Sequence, residues 1–138
     1  MPDLLKMCVP GKPEYVRTVR MTAASIASDA GFDIEAIEDI KVAVSEACNN
    51  TIVHARESNI IDYYVEFMRE DEKLTITVKD SGQGYDTDAY VEPAVDELQS
   101  GGLGLFIIKA LMDEIDIESK PGVGTSIRMI KYLVRDIV

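Results

Sequence analysis

Ile61-Asp62-Tyr63-Tyr64-Val65-Glu66-Phe67-Met68-Arg69-Glu70-Asp71-Glu72-Lys73-Leu74-Thr75-Ile76-Thr77-Val78-Lys79 reads as two strands joined by a charged connection. Ile61, Tyr63, Val65 and Phe67 alternate with polar or half-polar neighbours, and Leu74, Ile76 and Val78 do the same. A period of two is the signature of a strand with one face buried. The connection Arg69-Glu70-Asp71-Glu72-Lys73 is short enough to fold the pair into an antiparallel hairpin. The second strand runs straight into Asp80-Ser81-Gly82-Gln83-Gly84.

Working outward from the hairpin toward the N-terminus, the period changes to that of helices. A first strand is expected over residues 4–10 and a helix over residues 13–30, with Pro13 suited to a first helical position. Gly31 closes that helix, and Asp33 caps a second one extending to about residue 56. Toward the C-terminus, residues 85–100 show no clean period and carry five acids without a Lys or Arg, so a long loop is expected. Residues 103–112 are apolar nearly all round, which predicts a buried helix. Strands over 115–119 and 125–134 follow, joined by the turn Pro121-Gly122-Val123-Gly124. This order lacks the regular strand–helix–strand alternation of a parallel sheet. The expected class is α+β, a two-layer sandwich with a mixed, mostly antiparallel sheet covered on one face by helices. One domain spans residues 1–138.

Length and composition narrow the function. The 138 residues suffice for a core without staples. A net charge of −11 argues against direct contact with nucleic acid, which needs clustered Lys and Arg. No apolar signal core or membrane span is found, so a cytoplasmic protein without a membrane role is expected. Cys8 and Cys48 lie in apolar stretches and read as buried free thiols of a reducing compartment.

Four clusters carry chemistry. On the second helix, Ser45, Glu46, Asn49 and Asn50 make a polar stripe with an acid, two amides and no base. A solvated helix face usually mixes Lys with Glu. An acid one turn from an amide can take a proton while the amide oxygen holds a metal. Asp80-x-Gly82-x-Gly84 after a strand is most often a turn, although its glycines also permit close approach of a ligand. Gly101-Gly102-Leu103-Gly104 opens the last helix, where free N–H groups and the positive dipole end suit a phosphate. The alternative is tight packing by small residues. The spacing is neither a P-loop nor a dinucleotide-binding fingerprint. Gly124-Thr125 starts the last strand, where Thr is usually a β-former and nothing more. Seven of the nine glycines fall between Gly82 and Gly124, so ligand and backbone should meet there.

Glu46-x-x-x-Asn50, Asp80-x-Gly82-x-Gly84, Gly102-x-Gly104 and Gly124-Thr125, in this order, resemble the nucleotide-binding boxes of the GHKL ATPases. Pro13-Glu14-Tyr15-Val16, Ile37-Glu38-Asp39-Ile40-Lys41, Val44-Ser45-Glu46-Ala47-Cys48-x-Asn50 and Gly101-Gly102-Leu103-Gly104-Leu105 are closer still to RsbW-type anti-sigma factors. The likeness covers nearly the whole chain. It implies the GHKL ATP-binding fold and the cofactors ATP and Mg²⁺. It also implies a serine kinase that phosphorylates an anti-anti-sigma factor of the STAS type and sequesters a sigma-B-like sigma factor. Residue by residue, Asp80 would accept the adenine amine with Thr125 in support, and Gly82 and Gly84 would shape the adenine wall. Asn50 would bind Mg²⁺ and Glu46 would be the catalytic base. Gly102, Leu103 and Gly104 would lead into the helix that faces the phosphates. Arg20 is the candidate for partner contacts, and a homodimer is implied. His54, the only histidine, reads as a packed residue. The chain departs from the family in its acidic loop, which has no Lys or Arg to meet a phosphate. Two alternatives stay open: an ATP-binding partner-switching module without kinase activity, and a related kinase acting on another scaffold protein.

Overall fold

The alternation in the hairpin is realised as β2 (Asp62–Arg69) and β3 (Lys73–Lys79), paired antiparallel with Val65 opposite Val78 and Phe67 opposite Ile76. A computed structural model describes residues 2–57, 62–80, 102–120 and 124–134 of the chain. The turn is tighter than the sequence suggested. Arg69 and Lys73 join the strands, and Glu70 donates its N–H to the Lys73 carbonyl at 3.0 Å. β1 (Asp3–Pro10) adds to the free side of β2. β4 (Glu114–Lys120) and β5 (Gly124–Tyr132) complete the order β1-β2-β3-β5-β4. All four pairings are antiparallel, so the mostly antiparallel sheet that was expected contains no parallel pair among the described residues.

Directly paired residues share a face, so the register sorts the sheet into two surfaces. Tyr63, Val65, Phe67, Leu74, Ile76, Val78, Ile127 and Met129 form one fully buried face. The other face carries Tyr64, Glu66, Lys79, Arg128 and Asp116, with ion pairs Lys79–Glu66 at 2.8 Å and Arg128–Asp116 at 3.3 Å. The second pair is solvent-exposed and the first only partly buried, so both add little stability.

Three helices cover the buried face. A single turn at Pro13–Tyr15 leads into α1 (Val16–Ala30), which buries Val16, Val19, Ala23 and Ala27 at helical spacing. Gly31 ends α1 at φ 100°, and its N–H returns to the Ala27 and Ser28 carbonyls. A residue with a side chain is strained at that angle. Asp33 caps α2 (Ile34–Glu57) by accepting the Ala36 N–H at 2.8 Å. α2 lies between α1 and α3 (Gly102–Leu111) and buries Ile40, Ala43, Val44, Ala47 and Cys48.

Two expectations fail here. α3 is not buried all round: Leu105, Ile108 and Met112 enter the core, whereas Leu103 and Phe106 are 38% and 48% exposed. A helix lying on one side of a sheet meets the core along one stripe, whatever its composition. Cys8 is exposed, because it shares the open face with Tyr64 while its neighbour Val9 points inward; Cys48 is buried. Burial pushes the Cys48 thiol up to about 12, partly offset by the neighbouring Tyr63 hydroxyl. Among the described residues no helix is long and apolar enough to cross a membrane.

Candidate active site

Two groups of the predicted residues are brought together, one at an end of the sheet and one between two helices. At the sheet end, the β3–β5 register carries Lys79 opposite Ser126, so Asp80 arrives opposite Thr125. The Asp80 N–H donates to the Thr125 carbonyl at 3.0 Å, and the Thr125 N–H reaches Asp80 Oδ1 at 3.4 Å. Both side chains are buried. Gly124 enters β5 at φ 126°, a left-handed angle that favours glycine immediately before Thr125. A third residue completes the row across the strands. Ser119 on β4 pairs with Thr125, and its Oγ lies 2.9 Å from Thr125 Oγ1.

Between the helices, Glu46 and Asn50 stand one turn apart on α2, on the side that meets α3. The carboxylate of Glu46 lies against the first turn of α3. A Cβ built on Gly104 would come within 3.1 Å of Glu46 Oε2. The absence of a side chain at Gly104 is therefore what lets the acid and the helix start approach so closely. Negative charge is favoured there, because the first N–H groups of a helix have no partners within it. The Asn50 Oδ1 atom is buried and has no hydrogen-bond partner among the described residues. Buried polar atoms in folded proteins are almost always satisfied, so this amide oxygen marks a place for a cation or donor from outside the described residues.

The far end of α3 is held as well. Lys131 on β5 donates to the Leu111 carbonyl at 2.6 Å and lies 3.6 Å from Asp39 Oδ2 on α2. A lysine at a helix C-terminus satisfies a free carbonyl and complements the helix dipole. This clamp ties the C-terminal end of α3 to β5 and α2.

The remaining candidates are placed less centrally. Ser45 turns its hydroxyl back to the Lys41 carbonyl at 2.8 Å and so leaves the polar stripe. Asn49 is exposed, and His54 is half-buried and engaged with the protein. Arg20 is half-buried on α1. Gly102 begins α3 and Leu103 follows in its first turn. Gly82, Gly84, Gly101, the acidic loop 85–100 and residues 121–123 of the last turn lie outside the described residues. Among the described residues no cluster of three or more His, Cys, Asp and Glu is arranged to hold a metal. An Asn-based magnesium site needs no such cluster, because Mg²⁺ keeps several waters and phosphate oxygens as ligands. Sequence reasoning missed Ser119, although a signal was present. In Ile115, Ile117, Ser119 a polar residue takes a core-facing place in a strand's alternation.

In its antiparallel sheet covered on one face by helices, the chain has the architecture of a histidine kinase-like ATPase domain. The chain matches the family described as Histidine kinase-like ATPase domain over residues 9–131. It is 38% identical to Serine-protein kinase RsbW of Bacillus pumilus over 99% of this chain and 90% of that protein. The namesake in Bacillus subtilis is 37% identical over 95% of this chain and 86% of that protein. The one in Staphylococcus aureus is 38% identical over 99% and 91%. The chain belongs to the RsbW serine-protein kinases.

Solved structures share the fold at lower identity. The RsbU and RsbW domains of a Mycobacterium tuberculosis protein superpose with a TM-score of 0.70 at 22% identity, covering 97% of this chain and 33% of that one. The SiaB–SiaC complex of Pseudomonas aeruginosa gives 0.67 at 15% identity, covering 91% and 88%.

Proposed function

We propose that this chain binds Mg-ATP in the space bounded by Asp80, Thr125, Asn50 and the start of α3, and transfers the terminal phosphoryl group to a serine of a STAS-type anti-anti-sigma protein. In the same reading it holds a sigma-B-like sigma factor when the substrate protein is phosphorylated. The observation that carries the proposal is the buried Asn50 Oδ1, without a partner among the described residues and one turn from a carboxylate. When bound, Mg-ATP supplies an activated phosphoryl group and a cation that offsets its charge. The chain's own residues do the rest. Asp80 accepts a hydrogen bond from the adenine amine, and Thr125 supports it. Gly82 and Gly84 give the base close access to the backbone. Asn50 offers its amide oxygen to the metal. Glu46 takes the proton of the incoming serine hydroxyl, which must leave as the oxygen attacks phosphorus. Gly102, Leu103 and Gly104 place free N–H groups toward the phosphates.

Partner contacts are assigned to Arg20 on α1. A homodimer is assigned to the edge of β1, where Leu4 and Leu5 are 46% and 44% exposed. Two free thiols suit a reducing cytoplasm. The test incubates the protein with Mg-ATP, a STAS-type substrate and a sigma factor, and reads phosphorylation separately from complex formation. Phosphoserine on the substrate together with a sigma complex supports both halves. Sigma binding without phosphate transfer would reduce the protein to a binding module. Arg20→Ala is expected to weaken both partner complexes, and unchanged titrations with both would remove it from the interface.

A further inference from the structure

Ser119 is a buried polar residue for which the transfer chemistry has no use. It occupies a core-facing position of β4, is 9% exposed, and stands 2.9 Å from the hydroxyl of Thr125, which is 4% exposed. Either oxygen is able to donate in that pair. The choice matters, because a hydroxyl has one proton and two lone pairs. If Thr125 spends its proton on Ser119, it meets a ligand only as an acceptor. If Ser119 donates, the Thr125 proton is free to point into the site. The neighbouring Asp80 is already an acceptor. Adenine presents an amine donor next to the N1 acceptor, so its complement is one acceptor beside one donor.

We propose that Ser119 is a positioning residue for base recognition: its hydroxyl donates to Thr125 and thereby fixes the Thr125 hydroxyl with its own proton directed at adenine N1. The proposal rests on the reading of Asp80 and Thr125 as the adenine site. It adds a residue on a third strand, fixed in place by the β4–β5 register rather than by the ligand.

The experiment measures calorimetric affinities for Mg-ATP and for Mg-1-deaza-ATP, in which a C–H replaces N1. It uses the full chain, Ser119→Ala and Ser119→Thr. The wild type is expected to prefer ATP about fivefold, the scale of one neutral hydrogen bond. Ser119→Ala should bring the ratio to about twofold or less, and Ser119→Thr, which keeps the hydroxyl, should restore it. A residue that merely packs would weaken both nucleotides equally, so an unchanged ratio in a folded Ser119→Ala protein overturns the proposal. Equal affinities in the wild type also overturn it, while leaving ATP binding intact. Absence of ATP binding in the wild type would instead remove the adenine reading itself. Should Ser119→Ala not fold, Ser119→Cys provides the second test: its thiol is a weak donor, so the preference should fall below that of the wild type, and an undiminished preference defeats the proposal.

Discussion

The two halves of the site are built in different ways. At the sheet end, Asp80, Thr125 and Ser119 are linked by backbone pairing and by short side-chain contacts before any ligand arrives. At the seam between α2 and α3, Glu46 is close to Gly104, and Asn50 keeps a buried oxygen with no partner among the described residues. The first half is tied together across three strands, and the second is held between two helices. In the proposed reading, recognition of the base falls to a region whose geometry strand register fixes, and phosphoryl transfer falls to a region where two helices meet and where a small shift of either would change the chemistry. Preorganised groups act without reorganisation cost at the moment of need, so the sheet end should tolerate little change in affinity-determining atoms. The seam should show its changes in rate.

The largest expected effect lies at the seam. Glu46→Gln keeps the size of the side chain and removes its ability to take the serine proton. Phosphorylation should fall by about 100-fold or more, the usual contribution of a positioned base. Nucleotide affinity should stay within about twofold, because the base acts on the attacking group and not on the adenine end. Phosphotransfer assays with purified substrate protein and calorimetry for Mg-ATP read the two quantities independently. Wild-type transfer rates in this variant would remove Glu46 from the chemistry.

The complementary change comes next. Asp80→Asn replaces a charged acceptor by an amide that presents donors as well. Mg-ATP affinity should drop by about 10- to 100-fold, in line with the loss of a charge-assisted hydrogen bond in a buried site. The transfer rate at saturating nucleotide should change much less. A variant that binds ATP normally but transfers slowly would invert the division of labour drawn above.

How much of this was legible in the sequence follows from the same physics. The hairpin over β2 and β3 was legible because alternation reports directly which residues share a face. The caps at Gly31 and Asp33 were legible because helix ends need particular backbone angles or acceptors. Alternation does not say which face the helices cover, so Cys8 was read as buried when it lies on the open side. Apolar composition all round α3 hid the fact that it meets the core along one stripe. The motifs named Asp80 and Thr125 as members of one site, but the contact between them spans 45 positions. Only the pairing of β3 with β5 shows that the two residues touch. Ser119 was passed over because a serine in a short strand looks unremarkable until its partner across the sheet is known.

A smaller effect tests the clamp at the C-terminal end of α3. Lys131→Met keeps most of the apolar stem and removes the ammonium that meets the Leu111 carbonyl and Asp39. Stability in urea should fall by about 2 kcal/mol, the net scale of a hydrogen bond to a charged group at a partly buried helix end. Phosphorylation should slow by a few-fold, with nucleotide affinity nearly unchanged. If affinity falls and rate does not, α3 bears on the nucleotide rather than on Glu46.

The smallest change in stability comes with the most specific reading of the seam. Gly104→Ala places a methyl group within 3.1 Å of Glu46 Oε2, closer than ordinary van der Waals contact. Alanine also favours the helix over glycine, by roughly 0.5–1 kcal/mol in a helix interior. The atom in the way is the end of a flexible side chain, so Glu46 can swing aside by a few tenths of an ångström without disturbing the backbone. The two terms oppose each other, and the unfolding free energy should shift by less than about 1 kcal/mol in either direction. The displaced carboxylate is the group assigned to the serine proton, and proton transfer is sensitive to distance. Phosphorylation should therefore drop by about tenfold, because a misplaced base loses much of its advantage. Affinity for Mg-ATP should hold, since the atoms nearest the new methyl group belong to Glu46 and not to Asp80, Thr125 or Ser119. Urea denaturation, calorimetry and a phosphotransfer assay on one preparation separate the three quantities. A stable variant with wild-type transfer would show that the Glu46–Gly104 contact does not set the position of the base.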